Sequence, residues 1–307
     1  MQNPEGLFDL SSDVVDIPEG LHLVAGLTGF ADAGGAVSQL SQYLIDTLDY
    51  QVVAAFDADA LLDYRARRPI IEFDQDHVSD YRPAKLNLYL MKDELSQPFL
   101  FLTGYEPDFQ WERFAAAVLH LIDKYRVKGT TWVHAIPMPV PHTRTIGVTV
   151  SGNRADLIET MSIWKPHTQA PATALHLIEF RLLQLGLPIT GFVLLIPHYL
   201  ADTEFPLAAV TALESVSAAT GLIFPTDRLR EEGRDFIAKI DGQLVNNQEL
   251  AKLVTTLEER HDSYMLDNPL RSPLTDIDGE LPSADEIAAE LQKFLATRRN
   301  GDDERTF

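Results

Sequence analysis

The stretch "AIPMPVPHTRTIGVT" at 135–149 places His142 and Arg144 directly after three alternating prolines, and "IPHYLADTEFP" at 196–206 repeats the Pro–His pair at His198, followed by Tyr199. A proline fixes its own φ at about −65° and drives the preceding residue into an extended conformation. Pro137, Pro139 and Pro141 therefore predict a stiff segment that holds polar groups in place. Histidine is the side chain suited to proton transfer near neutral pH. Such chemistry needs two of His134, His142 and His198 to converge with a carboxylate such as Asp32, Asp57 or Asp202. The plainer use of a histidine beside a proline is a hydrogen bond to the backbone of its own turn. No His-x-x-His or His-Glu-x-x-His spacing supports a metal site.

A second group lies in the glycine turn "TGFADAGG" at 28–35, where nucleotide-binding folds hold phosphate. Gly29 and Gly34 have the outer spacing of a P-loop, but Gly35 and Ala36 stand where lysine and a hydroxyl residue belong, and Asp32 would repel a phosphate. Two readings remain: glycines for a tight turn and close helix–sheet approach, or backbone N–H groups lining a ligand site. The third group is "DADALLDYRARRP" at 57–69, in which Asp57, Asp59 and Asp63 precede Arg65, Arg67 and Arg68. Guanidinium groups bind carboxylates and phosphates through two parallel hydrogen bonds, so this run is either an ion-paired surface, a subunit contact or an anion clamp.

Several chemistries drop out. With no cysteine in 307 residues, thiolate nucleophiles, disulfides and iron–sulfur clusters are excluded. No Gly-x-Ser-x-Gly elbow is present. The formal net charge of −21 sets the whole-molecule field against nucleic acid and anionic membranes. No leader or membrane-spanning run is read from the sequence, and the expected location is the cytoplasm. No cofactor is implied.

These groups need elements to position them. "LHLVAGL" at 21–27 reads as a buried strand feeding a helix whose Val37, Leu40, Leu44 and Leu48 share a face. Strands are predicted at 51–56, 86–91, 98–103, 130–136, 146–150 and 190–196, with helices over 111–122 and 175–185 and from Pro206 to Gly221. Alternating strands and helices with apolar strands predict an α/β fold with a mostly parallel sheet covered by helices on both faces. The expected organisation is an α/β core over 1–225 and a helical C-terminal region over 226–307. That region includes a linker at 266–282, a capping box from Ser283 to Glu286 opening a helix through about Arg298, and a disordered tail.

"GFADAGGAVSQLSQYL", "DADALLDYRARRP", "LTGYEPDFQWERF", "AIPMPVPHTR" and "IPHYLADTEFPLAAV" followed by "TGLIFP" together resemble the proteasome assembly chaperone 2 family in its actinobacterial form, from about residue 20 to about 262. The resemblance implies a nucleoside-phosphorylase-like α/β fold with a helical C-terminal addition and no established catalysis. It further implies self-association, with a trimer favoured, and proteasome α-subunits or another protein as partner. Matched positions that would form a pocket or contact are Gly29, Asp32, Gly34, Gly35, Asp63, Arg65, Arg68, Pro69, Glu106, Trp111, Pro141, His142, Arg144, His198 and Tyr199. The chain ends Arg305-Thr306-Phe307, unlike the hydrophobic-tyrosine-any tail of proteasome-binding relatives. The runner-up function is a small-molecule binder or enzyme for nucleosides or phosphate compounds.

Overall fold

The computed structural model describes residues 3–12, 16–165 and 167–267. The expected linker beyond 267, the capping box at Ser283 and the tail lie outside the described residues.

Among the described residues ten strands and eight α-helices build the fold. The strands are β1 (Phe8–Leu10), β2 (His22–Thr28), β3 (Tyr50–Phe56), β4 (Ile70–Asp74), β5 (His77–Arg82), β6 (Leu86–Lys92), β7 (Pro98–Tyr105), β8 (Gly129–Met138), β9 (Gly147–Gly152) and β10 (Ile189–Pro197). The helices are α1 (Ala36–Thr47), α2 (Ala58–Leu61), α3 (Trp111–Lys124), α4 (Ala155–Met161), α5 (Ala174–Gln184), α6 (Pro206–Thr220), α7 (Asp227–Asn246) and α8 (Gln248–Asp267).

Eight strands form one sheet in the order β1-β3-β6-β7-β2-β8-β10-β9. Only β7–β2, β2–β8 and β8–β10 are parallel pairs; β1–β3, β3–β6, β6–β7 and β9–β10 are antiparallel. The mostly parallel, nucleoside-phosphorylase-like sheet expected from the sequence is therefore corrected to a mixed sheet with a parallel centre. The reason is local. A parallel pair needs a crossover of a dozen or more residues, and Asp93–Gln97 is too short for one. Asp93 instead folds that link into a hairpin turn, its carboxylate accepting the N–H groups of Leu95 and Gln97 at 2.9 and 2.7 Å. Apolar strands buried on both faces carry no mark of direction, so the sequence pattern could not separate the two arrangements.

Alternate strand residues feed two cores. Val24, Val133 and Leu194 join Leu40, Leu44 and Leu213 of α1 and α6 on one face. Leu23, Ala25 and Trp132 join Phe114, Val118 and Ile178 of α3 and α5 on the other. Helix α7 extends the first core through Leu229 and Ile240, and Phe236 sets its ring 5.3 Å from that of Phe205. Strand β8 tolerates Pro137 because β2 leaves it after the Gly26–Val133 pair, so residues 134–138 pair with β10 alone. Strands β4 and β5, which are not among the strands predicted from the sequence, form a separate two-stranded hairpin. No helix among the described residues is long and apolar enough to cross a membrane.

Candidate functional site

The parallel strands β7, β2, β8 and β10 all end on one edge, where open α/β sheets place ligands. All three groups singled out in the sequence lie there, in two halves. On the β2–β7 half the chain leaves β2 through Gly29 at φ +136°. A Cβ at that position would stand 2.9 Å from an Arg67 guanidinium nitrogen and 3.6 Å from Glu106 Cβ. Glycine thus lets Arg67 and Glu106 close over the turn. Glu106 is 8% exposed; its backbone N–H donates to Thr28 O at 2.7 Å, and its Oε1 accepts the Ala174 N–H at 2.5 Å, capping α5. Burial pushes the Glu106 carboxyl up, opposed by the Ala174 N–H and the Arg67 charge. Thr173 and His176 complete the cap reciprocally, Thr173 Oγ1 accepting the His176 N–H and His176 Nδ1 accepting the Thr173 N–H.

Of the three arginines, Arg67 is the one turned into the site. It pairs with Asp108 and lies 5.4 Å from the Tyr105 ring centre. Arg65 and Arg68 are exposed, and Asp63 fixes their turn by accepting the Arg65 N–H at 2.9 Å and donating its own N–H to Asp108 at 2.8 Å. Pro69 begins the run into β4, and Trp111 donates its indole N–H to Pro107 O at the start of α3.

Beneath Phe30 the His134 ring stacks at 6.2 Å, and His176 stands 6.4 Å from it. Burial, with the neighbouring His176 adding to it, holds His134 down at about 4, so it is neutral at physiological pH. Asp32 does not face these histidines. Its carboxylate accepts the N–H groups of Val37 and Ser38 at 2.7 and 2.9 Å, and so occupies the helix N-terminus where a nucleotide fold would hold phosphate. Gly34, at φ +68°, bonds in both directions to the loop after β10, to Ala201 O and from the Phe205 N–H, each at 2.8 Å. Gly35 donates to Asp32 O at 3.0 Å.

On the β8–β10 half Met138 and Val140 of the proline segment are buried with Leu195 against Ile163 and Trp164, and the residues that follow reach α7 and α8. Pro141 leads into His142, whose side chain is fully enclosed. The Tyr199 hydroxyl accepts the His142 backbone N–H at 2.8 Å and lies 2.7 Å from Nδ1. The other ring nitrogen, Nε2, lies 3.4 Å from Asp241 of α7. Arg144 makes a two-pronged pair with Asp262 at 2.8 and 2.6 Å and reaches Glu258 at 3.1 Å, both on α8. The guanidinium holds the Asp262 carboxyl well below the usual carboxylate range. His198 Nδ1 lies 3.4 Å from Met138 O. Tyr199, Phe236, Ile240, Leu250 and Leu253 line a cavity of about 640 Å³ between this loop and the two helices.

The candidate residues therefore divide. Gly29 and Glu106 meet around Arg67; His142, Arg144 and Tyr199 meet around the C-terminal helices. Among the described residues no cluster of histidine and carboxylates could hold a metal. Asp108, Phe30 and His176 join the site without being singled out in the sequence, whereas Arg67 stands within its arginine run. The sequence carries a signal for His176 in Thr173-x-x-His176, a capping box with histidine in the usual Glu/Gln place.

The sequence profile of the PAC2 family matches residues 26–244, a range that spans both halves of this edge. The chain belongs to the PAC2 family. A Mycobacterium tuberculosis protein of unknown function is 37% identical with a TM-score of 0.80, covering 86% of this chain and 93% of its own. A Corynebacterium glutamicum protein of unknown function is 31% identical with a TM-score of 0.81, covering 84% and 98%. A M. tuberculosis proteasome-assembly chaperone homologue shares the fold at 22% identity and a TM-score of 0.69, covering 76% and 100%. No curated protein matches the sequence. Within this PAC2-family chain, Arg144 lies inside the matched range while its partners on α8 lie beyond it.

Proposed function

We propose that this PAC2-family chain acts as a homo-oligomeric, protein-binding, chaperone-like protein of the cytoplasm and performs no chemistry of its own. One observation carries the reading: four of the groups on which acid–base or anion chemistry would draw are already engaged within the chain. Asp32 caps α1, Glu106 caps α5, His142 is enclosed against Tyr199, and Arg144 is held by α8. What the edge offers outward is contact surface, with Phe30, Tyr105 and Phe109 each 40% or more exposed beside Arg65 and Arg68. The fold shared with a proteasome-assembly chaperone homologue supports proteasome α-subunits as the first partner to try, and the family resemblance favours a trimer.

Two measurements test this. Purified protein mixed with proteasome α-subunits should co-elute with them or speed ring formation; no effect on either would remove α-subunits as the partner. A thermal-shift screen with nucleosides, phosphate and sugar phosphates should leave Tm unchanged. A true ligand at a hundred times its Kd would add about 2.7 kcal/mol of stability, and such a shift would overturn the reading.

A further inference from the structure

The hairpin of β4 and β5 is amphipathic in the wrong direction for a lone domain. Its register pairs Ile71 with Tyr81 and Phe73 with Val78, which puts four apolar side chains on one face. All four are open to solvent, at 50%, 55%, 65% and 52% exposed respectively. The opposite face carries Ile70, Glu72, Asp80 and Arg82, and Arg82 pairs with both acids. Two-stranded hairpins are marginal in water on their own, and a sheet with one apolar face is normally covered on that face. The hairpin belongs to neither core cluster of the chain.

Charge is also polarised along it. Its base carries the exposed Arg65 and Arg68; its tip carries the exposed Asp74 and Asp76. Base and tip are roughly 17 Å apart, at about 3.4 Å per residue over the five residues of β4. We propose that the apolar face of this hairpin is the contact between copies of this chain. Face packs on face, and the arginines at the base of one hairpin meet the aspartates at the tip of the next.

Two features favour a second copy over a foreign protein. Chains of net charge −21 repel one another except where the facing surfaces are uncharged or alternate in sign. The hairpin supplies both, an uncharged face with Glu72 and Asp80 turned away onto the side where Arg82 pairs with them, and ends of opposite sign that match head to tail. Such base-to-tip contacts close between two copies or around a ring of three. Arg67, between the two free arginines, is committed to Asp108 and takes no part.

The inference rests on the self-association proposed above, and one experiment separates the two. Native mass is measured at micromolar concentration for the wild type, Phe73→Asp/Tyr81→Asp, Arg65→Asp/Arg68→Asp, Asp74→Arg/Asp76→Arg and the combination of the two charge reversals, with circular dichroism to check each fold. The expected result is an oligomeric wild type and a monomeric Phe73→Asp/Tyr81→Asp. Each charge reversal should raise the dissociation concentration roughly tenfold or more, about 1.4 kcal/mol, and the combination should recover it. An oligomer unmoved by Phe73→Asp/Tyr81→Asp overturns the hairpin contact while leaving self-association standing. Failure of the combined reversal to recover assembly overturns the base-to-tip arrangement. A monomeric wild type removes self-association and the hairpin contact with it.

Discussion

The two halves of the strand-end edge hold similar residues and use them differently. On the β2–β7 half, polar groups cap the starts of helices: Asp32 serves α1, and Glu106 with Thr173 and His176 serves α5. On the β8–β10 half, they dock whole helices: His142 and Tyr199 face α7, and Arg144 grips α8. The difference teaches that a histidine or arginine at this edge is read by its partner. A backbone N–H partner at a helix start makes a polar group here a cap, whereas a side-chain partner along a C-terminal helix makes it a clamp.

The largest expected effect separates His134 from its surroundings. Held at about 4 against an ordinary 6.5, His134 contributes stability that is fully present above pH 6.5 and lost as pH falls toward 4. At about 1.4 kcal/mol per pKa unit the loss is on the order of 3 kcal/mol. The raised carboxyls of Glu106 and Glu179 act in the opposite sense, because their burial is relieved on protonation. The comparison must therefore be made against His134→Leu, whose denaturation midpoint should fall less steeply between pH 6.5 and 4 than the wild type's. Parallel curves would refute the buried neutral histidine.

Next comes Tyr199→Phe, which strips the His142 backbone N–H and Nδ1 of their shared partner at an enclosed site. Urea denaturation should show a loss of about 1–3 kcal/mol. On the other half Glu106→Ala removes one cap bond and should cost about 0.5–2 kcal/mol, with Glu106→Gln recovering most of it because an amide oxygen still accepts the Ala174 N–H. If Glu106→Ala instead costs more than Tyr199→Phe, the division into caps and clamps is wrong. Smallest of all is Thr149→Val. Thr149 Oγ1 is buried without a partner, so the change should be neutral or stabilising by a few tenths of a kcal/mol.

The strands and helices that carry the edge were legible because their apolar spacing is a property of each segment alone. The glycine turn was legible as a turn for the same reason, but its capping by Asp32 was not. Partners distant in the chain were not: His142 meets Tyr199 and Asp241 across 57 and 99 residues, and spacing holds no record of that. The choice of Arg67 over Arg65 and Arg68 depends on the turn that Asp63 sets, where one residue of rotation decides which guanidinium faces inward. The hairpin did leave a signal in the alternation of Ile71 and Phe73 with Val78 and Tyr81. Its acids and arginines kept the stretch out of the predicted strands.

The most direct test of the central claim, that this edge is engaged internally and the molecule works through contact surfaces, is native mass spectrometry on the untagged protein taken from its own cells. The account predicts a whole-number oligomer of the 34.3 kDa chain, alone or with the added mass of a protein partner, and with no small molecule attached. A monomer carrying a stoichiometric small molecule would contradict it.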